Sequence, residues 1–549
     1  MYLFISRKPH LDFPVYTLDV AGHRRFTMLF NSLSFLIFFP IAALLYYLVP
    51  ARWRYIWLVI ISYFFYACFS PFYTLLLLTD TVVTYLAALG ISHARNRSAD
   101  RQEHPDAYSD EANHAPSVQN NSRPSSRRHS LLWLISAMLI CLGLLFFFKY
   151  YDFLVGDMVR GISAIFPELI KTSPALAIAL PAGISFYTFQ SLGYVFDVYN
   201  SKYPAERNLL YYAAFVSFFP LLCAGPIERA PHLVPQLRKE HAFSLHKIKR
   251  GLLLMLWGYF QKLIIADRAA ILVNEVFGNY ESYAGFQLVT AAVLFGMQIY
   301  GDFAGYSNLA IGAAEVMGFD VCTNFNTPYL SRSVGEFWRR WHISLSSWFR
   351  DYLYFPLGGS RCSRQRKYLN IMIVFLVSGL WHGAGWNFII WGGLNGLFQV
   401  LEQQFAAPRR WLCDKLHIQT ESLGHKIVQV FLTFCLVDFA WIFFNASDIR
   451  TAFGFIGRMF TTFGLDNLFG SALFQLGLSS LEINILIAAL LLQLVVSICT
   501  YKGICVRDVL TKQGFLLQDA VILTAIFALL IVGIYGPSYD ASSFIYMQF

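Results

Sequence analysis

Long apolar stretches recur along almost the whole chain of 549 residues. A helix that crosses a bilayer needs about 20 mostly apolar residues, and only 14% of the residues here are charged, against about 25% in soluble domains. Because hydrocarbon offers backbone groups no hydrogen-bond partner, such runs are expected to be helices. The sequence therefore predicts an all-α polytopic membrane protein with about 11 transmembrane helices. The runs lie near residues 29–49, 55–69, 71–92, 131–149, 207–224, 251–275, 285–304, 368–400, 426–446, 482–500 and 518–536.

Changes in composition divide the chain into four parts. Residues 1–27 are polar and lack the apolar centre of a signal peptide. Since Met28 directly opens the first apolar run, we expect residue 28 to be the natural start and 1–27 to be an upstream extension. Residues 28–92 hold the N-terminal membrane helices, 93–130 form a polar, proline-containing linker that is predicted to be disordered, and 131–549 form the core. Segment 175–200 is interrupted by Pro181 and Gly183 and is either a further span or a re-entrant piece.

The chain has a net charge of +9, and Lys and Arg are numerous in three segments, 93–130, 225–250 and 332–367. Loops rich in Lys and Arg stay in the cytoplasm, although attraction of an anionic substrate would also favour a basic surface. Three crossings before residue 93 would then place the N-terminus outside. The nine cysteines show no metal-ligand spacing such as C-x-x-C, so they are interpreted as reduced packing residues.

A single histidine stands out in the apolar run 368–401, where His382 is the only acidic or basic side chain. An ionisable group in a membrane segment is costly and is kept mainly where it has a function. Gly379, Gly383 and Gly385 would let backbone or substrate approach closely. A lone buried histidine more often only packs and accepts hydrogen bonds, and a metal site would need further ligands that the sequence does not offer nearby.

A second histidine, His342, follows a helix start signal. Ser333 and Glu336 have the spacing of a capping box, which predicts a helix from Ser333 to about Tyr354. In this helix His342 shares an aromatic face, opposite a basic one, as in interfacial amphipathic helices. His342 would therefore either pack against tryptophan or line a cavity that opens to the cytoplasm.

These residues belong to stretches that resemble the membrane-bound O-acyltransferase (MBOAT) family, in particular its bacterial alginate O-acetyltransferase branch. The stretch 336–359, which contains His342, is similar to the signature of that family, and 381–386, which contains His382, is similar to its second motif. Residues 180–190, 219–229 and 544–549 match as well. The resemblance runs from Met28 to the end, with the segments 1–27 and 93–130 as departures.

The resemblance implies a ring of membrane helices around a central funnel or tunnel. It also implies transfer of an acyl group, in this branch acetyl, from a cytoplasmic donor to the hydroxyls of an exported polysaccharide. Acetyl-CoA would be the donor, no cofactor or metal would stay bound, and periplasmic acetyl-transfer proteins and the polysaccharide synthase and export machinery would be partners. The expected location is the bacterial inner membrane, in contact with lipid and not with nucleic acid.

An alcohol is a weak nucleophile at neutral pH and needs a base, and burial keeps an imidazole neutral. We therefore assign His382 as the general base on the acceptor hydroxyl, and His342 as the group that positions the donor or stabilises the oxyanion. Asp302 could instead form a structural ion pair. The predicted substrate-binding residues are Trp338, Trp341, Trp381, Asn387, Arg339, Arg340, Gln298 and Asp302.

Three alternatives remain open on the sequence alone. The same fold carries D-alanyl transfer to teichoic acid and acyl transfer to lipids, which aromatic-rich motifs do not distinguish from acetyl transfer. A transporter could use the histidines to relay protons, although no internal repeat is visible. The transfer itself could be direct or could pass through a partner protein, because the chain offers no obvious nucleophile of its own.

Overall fold

The computed structural model describes residues 16–18, 24–26, 28–103, 124–165, 180–463, 476–535 and 545. Nearly all of this is helical. Two short strands, β1 (Tyr16–Leu18) and β2 (Arg24–Phe26), pair antiparallel with Tyr16 opposite Phe26. The helices are α1 (Leu33–Leu48), α2 (Arg54–Ala67), α3 (Pro71–Glu103), α4 (Pro124–Ile165), α5 (Ile184–Tyr199), α6 (Leu209–Ser217), α7 (Phe219–Leu222), α8 (Ala230–Arg238), α9 (Leu245–Tyr259), α10 (Asp267–Gly278), α11 (Gly285–Val316), α12 (Val334–Arg340), α13 (Ile343–Phe349), α14 (Arg364–His382), α15 (Trp386–Gln404), α16 (Ala406–Lys415), α17 (Leu423–Asn445), α18 (Ile449–Thr461), α19 (Ser480–Tyr501), α20 (Val506–Thr511) and α21 (Phe515–Val532).

Six helices of the described part of the chain are long and apolar enough to cross a membrane. The helical membrane class predicted from the sequence is therefore confirmed, whereas the number of 11 crossings is not. The six segments are Pro71–Asn96, Arg127–Val159, Gly285–Val316, Leu423–Asn445, Ser480–Tyr501 and Phe515–Val532.

The apolar run predicted as one span over 368–400 is instead a hairpin of two helices. α14 ends at His382, Gly383 and Gly385 have extended backbone, and α15 begins at Trp386. The prediction was wrong here because a hydropathy profile shows where an apolar run begins and ends, but not whether the chain turns within it. Two adjacent 19-residue helices give the same continuous signal as one long helix.

Both ends of the segment predicted to be disordered, 93–130, are helical. α3 continues to Glu103, and α4 begins at Pro124. After Pro71 no proline occurs up to Glu103, so nothing in this part of the chain prevents the membrane helix from continuing into the polar sequence. Pro124 is suited to the first position of a helix, where its missing N–H is not needed. Residues 104–123 lie outside the described part of the chain.

Two apolar cores meet along α11. One core contains α1 and α2 with residues of α5–α8, and the other contains residues of α10, α14, α15 and α17–α19. The long helix α11 contributes Phe303 and Tyr306 to the first core and Leu288 and Phe295 to the second. The tip of the α14–α15 hairpin also lies on this boundary, since Trp381 belongs to the first core and Trp391 to the second.

Candidate active site

The α14–α15 hairpin carries His382 at its tip. The two arms pack closely, since a Cβ added at Gly379 would lie 2.3 Å from the carbonyl oxygen of Phe388. At the open end of the hairpin Arg364 Nη2 donates to Gln404 Oε1 at 3.0 Å. The start of α14 and the end of α15 therefore lie at the same end of the hairpin. His382 lies about 21 Å from Tyr368 along α14, at a rise of 1.5 Å per residue.

The imidazole of His382 is buried in an aromatic shell, with 4% of the residue exposed. Its ring centroid lies 4.8 Å from Trp381, 4.9 Å from Trp391 and 5.5 Å from Phe444. Behind it, Lys149 of α4 donates from Nζ to the carbonyl oxygens of Trp381 at 2.6 Å and His382 at 2.9 Å. This amino group donates to carbonyls that the last turn of α14 leaves without an intrahelical partner and holds the turn that carries His382.

The helix predicted over 333–354 is broken at His342. This residue is left-handed, with φ of 43°, and separates α12 from α13. The carbonyl oxygen of Asn324 accepts the N–H of Ile343 at 2.9 Å. A continuous helix would direct that N–H to the preceding turn instead, so a distant loop replaces the helical hydrogen bond. The prediction of the start was right, because Ser333 Oγ accepts the N–H of Glu336 at 3.0 Å.

His342 is buried rather than interfacial, with 1% of the residue exposed. As predicted, its ring faces aromatic side chains: it lies 4.6 Å from Phe303 and 6.1 Å from both Phe186 and Trp381, between ring centroids. Burial lowers the pKa of His342 below its ordinary value, so the ring is neutral near pH 7. The two histidines are close enough to interact electrostatically.

A polar cluster lies on the other side of His342. Asn324 Oδ1 is 3.3 Å from His342 Nδ1 and accepts from Ser344 Oγ at 2.6 Å and from the N–H of Ser344 at 3.3 Å. Asn324 Nδ2 donates to Ser307 Oγ at 3.1 Å. The N–H of Ile227 donates to Ser344 Oγ at 3.0 Å. These bonds connect the 219–229 stretch to His342.

A small cavity reaches His382 from the side of Lys149. Its other lining comes from the stretch 180–186 and from Trp381. A second cavity is lined by Gln190, Tyr187 and Ile227, among others. Phe186 lines both cavities and contacts the ring of His342, so it separates the two spaces. The stretches 180–190, 219–229, 336–359 and 381–386, which are far apart in sequence, thus meet at the two histidines.

Of the predicted substrate-binding residues, Trp381 lines the cavity beside His382. Trp338 donates from Nε1 to Asn395 Oδ1 at 3.2 Å, and Trp341 packs against Trp441 with a centroid distance of 5.1 Å. Asn387 donates from Nδ2 to the carbonyl oxygens of Phe443 at 3.3 Å and Ala446 at 2.9 Å. These contacts are with protein groups that support the hairpin and α12.

The remaining four predicted residues are not among those that line the two cavities. Arg339 is exposed, whereas Arg340 pairs with Glu336 at 2.9 Å. Gln298 is buried within α11. Asp302 forms the structural ion pair that was considered as its alternative role: Lys262 Nζ lies 2.6 Å from its Oδ1.

Three residues at the site were not predicted: Lys149, Asn324 and Phe186. Lys149 could have been found by the criterion that identified His382, because it is the only basic residue in the apolar run 131–149. Asn324 offers no comparable signal, since it lies in a polar connection between helices. Its role arises only from the tertiary contact with the turn at His342.

Comparison with known proteins shows which family this chain is similar to. The family model of MBOAT, the membrane-bound O-acyltransferase family, matches residues 206–447. The protein named "Probable alginate O-acetylase AlgI" of Pseudomonas aeruginosa is 36% identical over 475 residues, which cover 84% of this chain and 80% of the relative. The peptidoglycan O-acetyltransferase of Helicobacter pylori is 33% identical over 461 residues, 78% of this chain and 79% of the relative. The teichoic acid D-alanyltransferase of Bacillus subtilis is 28% identical over 286 residues, 49% of this chain and 69% of the relative.

Proposed function

The chain belongs to the membrane-bound O-acyltransferase family, and on that premise we propose that it carries an acetyl group from acetyl-CoA in the cytoplasm to hydroxyl groups of an exported polysaccharide. The observation that carries this proposal is the meeting of four separate sequence stretches at two buried histidines beside a cavity. Similarity supports acetyl as the group, because the acetyltransferase relatives match 78–84% of this chain and the D-alanyltransferase relative only 49%.

In the proposed mechanism His382 is the general base. Its imidazole is held at the inner end of a cavity, where an acceptor hydroxyl would give up its proton as the oxygen attacks the thioester carbon. Collapse of the tetrahedral intermediate would break the carbon–sulfur bond, and the coenzyme A thiolate would leave with the proton that His382 returns. His342 would position the acyl donor or stabilise the oxyanion of the tetrahedral intermediate. A general base contributes about 10²–10⁴-fold, and holding both reactants together in a dry site supplies much of the rest.

The two substrates would approach from opposite faces. The exposed arginines of the open end of the α14–α15 hairpin suit the phosphates of a coenzyme A donor and lie on the side that the positive-inside rule assigns to the cytoplasm. His382 lies at the opposite end of α14, so in this orientation the acceptor would enter from the outer face. The exposed arginines are Arg339, Arg361, Arg364 and Arg366.

The proposed setting is the inner membrane of a bacterium, with the N-terminus outside. Outer-face acetyl-transfer proteins and the polysaccharide synthase and export machinery are the proposed partners. The alginate and peptidoglycan relatives act on two different glycans, and either class of polymer is compatible with this site.

The test is transfer of labelled acetyl from acetyl-CoA to a polysaccharide acceptor in membranes that contain the full-length protein. Alginate and peptidoglycan strands are the two acceptors to compare, each with and without an outer-face partner. We expect His382→Ala to lower the transfer rate by about 10²–10⁴-fold and the exposed control His246→Ala to leave it unchanged. Normal transfer by His382→Ala protein that reaches the membrane would disprove the assignment of the base. Label that crosses the membrane without covalent attachment would indicate a transporter.

A further inference from the structure

We propose that Asn324 is a positioning residue that holds His342 in the tautomer with hydrogen on Nδ1, so that Nε2 is the hydrogen-bond acceptor of this imidazole in the reaction. This inference rests on the proposed acyl transfer and deepens it, because it decides what His342 can do there. It is carried by the geometry of the polar cluster around Asn324.

The orientation of the Asn324 amide follows from its partners. The backbone N–H of Ser344 can only donate, and it lies 3.3 Å from Oδ1. The hydroxyl of Ser344 already accepts the N–H of Ile227, so its own hydrogen is available for Oδ1, at 2.6 Å. A flipped amide would place the NH₂ group against the N–H of Ser344, donor against donor. Oδ1 is therefore the atom that faces His342.

The tautomer of His342 follows from that orientation. An amide oxygen accepts and never donates, so the contact of 3.3 Å between Asn324 Oδ1 and His342 Nδ1 requires the hydrogen on Nδ1. In a neutral imidazole only one nitrogen carries hydrogen. Burial lowers the pKa of His342 and keeps it neutral, so Nε2 carries the lone pair.

Asn324 also fixes where the ring stands. Its backbone carbonyl accepts the N–H of Ile343 at 2.9 Å, while its side chain binds the N–H of Ser344. These two bonds hold the residues that follow the left-handed His342. One asparagine thus sets both the backbone turn and the ring tautomer, in the way that outer-shell partners orient histidines elsewhere.

The consequence concerns the two roles considered for His342. Stabilising an oxyanion needs a donated hydrogen, and a neutral His342 with its only hydrogen bound to Asn324 has none to donate from Nε2. An acceptor at Nε2 suits the other role, which is to position a substrate group that carries a hydrogen.

The direct test is ¹⁵N NMR of histidine-labelled full-length protein in lipid, with His342 assigned by its loss in His342→Gln. We expect hydrogen on Nδ1 in the wild type and a rise of the Nε2–H form in Asn324→Leu. Hydrogen on Nε2 in the wild type, or a tautomer unchanged by Asn324→Leu, would overturn the inference.

Kinetics give a second and independent readout. Asn324→Leu removes the acceptor and is expected to lower kcat/KM for acetyl transfer by about 10- to 100-fold, as is typical of outer-shell partners. Asn324→Asp keeps an acceptor for Nδ1 and is expected to retain most activity. Its negative charge favours imidazolium, so the acid limb of the pH profile moves to higher pH. The exposed His246→Ala is the control and should remain close to the wild type.

The outcomes separate this inference from the proposed function. Wild-type protein that transfers acetyl while His342 carries hydrogen on Nε2 overturns the role of Asn324 and leaves the proposed function in place. Wild-type protein that transfers no acetyl overturns the proposed function, whatever the tautomer. If Asn324→Leu does not fold, the pH profile of Asn324→Asp decides, and an acid limb that does not move contradicts the inference.

Discussion

Lys149 is a buried lysine whose two described hydrogen bonds go to backbone carbonyls of the turn that carries His382. A hydrogen bond contributes about 0.5–1.5 kcal/mol. Their loss would release the last turn of α14, although His382 itself would remain. Lys149 thus links the position of α4 to the position of the proposed base.

The first residue-scale prediction is that Lys149→Met lowers acetyl transfer about tenfold, the rate equivalent of about 1.4 kcal/mol in the barrier. Lys149→Arg keeps a donor and is expected to retain more activity. The measurement is the transfer rate in membranes, normalised to the amount of folded protein. A methionine variant as active as the wild type would show that the two carbonyl bonds do not position His382.

The second residue-scale prediction concerns Phe186, which lines both cavities. Phe186→Ala should join the two spaces and raise the ratio of butyryl to acetyl transfer, since a longer chain then fits beside His342. Phe189→Ala is the matched control, because Phe189 belongs to the same helix and also contacts Trp381, at 5.5 Å, but is not among the residues that line either cavity. An equal ratio in the two variants would contradict the separating role of Phe186.

At the residue scale, His382 could be proposed as a functional residue from the sequence because an ionisable group is conspicuous in an apolar run. The sequence also placed His342 correctly among aromatic residues. It missed Asn324 because a polar residue in a loop is ordinary, and its importance depends on a partner 18 residues later in the chain.

Among the helices, the close packing of α14 against α15 depends on glycine where the arms touch. Gly379→Ala would place a methyl group 2.3 Å from the carbonyl oxygen of Phe388, whereas Gly393→Ala would meet only the flexible Leu376 side chain at 3.6 Å. A methyl group forced into a packed interface costs about 1–3 kcal/mol. In an open helical position, alanine is favoured over glycine by up to about 1 kcal/mol.

We therefore expect Gly379→Ala to lower the thermal unfolding temperature and Gly393→Ala to leave it unchanged or raise it. Thermal unfolding in detergent, followed by fluorescence, measures both. Because the arms also fix His382, Gly379→Ala should lose activity even at temperatures where it is folded. Equal unfolding temperatures of the two variants would show that the close contact between the arms at Gly379 does not contribute to stability.

Helix starts were easier to predict than helix breaks. Ser333 caps α12 as its local spacing indicates, since a cap is a contact within four residues. The break at His342 depends on the carbonyl of Asn324, and the break after His382 depends on how two apolar helices pack. Neither contact leaves a periodic signal in the sequence.

For the molecule as a whole, a buried ion pair connects segments that are distant in sequence. Lys262, in the π-helical segment Phe260–Ala266, lies 2.8 Å from Asp267 and 2.6 Å from Asp302. Asp302 Oδ2 also accepts the N–H of Ile545 at 2.7 Å. The π-helical turn, α11 and the end of the chain therefore meet at one charged group.

The whole-molecule prediction is that Lys262→Met destabilises the protein by about 3–5 kcal/mol, because it removes the cation that pairs with two buried carboxylates. Lys249→Met is the matched control: its partner Asp519, at 2.8 Å, is half exposed, and such pairs contribute at most about 1 kcal/mol. Unfolding midpoints in denaturant compare the two. Similar midpoints would mean that the Lys262 pair contributes no more than a surface contact.

The membrane class of the molecule could be predicted because long stretches of high hydropathy indicate segments that are surrounded by lipid. The number of crossings could not, since the one continuous apolar run of 368–400 is divided between α14 and α15, and neither is among the six helices of the described residues that are long and apolar enough to span.

The aromatic packing around the two imidazoles also bears on the electrical tightness of the membrane. Phe186, Phe303 and Trp381 surround the ring of His342, so aromatic side chains occupy the space around the proposed donor site. A membrane potential of 100 mV corresponds to about 2.3 kcal/mol per elementary charge. A continuous row of water molecules across the bilayer would let ions or protons dissipate that potential. Tight aromatic packing at this point would let the proposed transfer carry an acetyl group between the two faces without opening a path for ions.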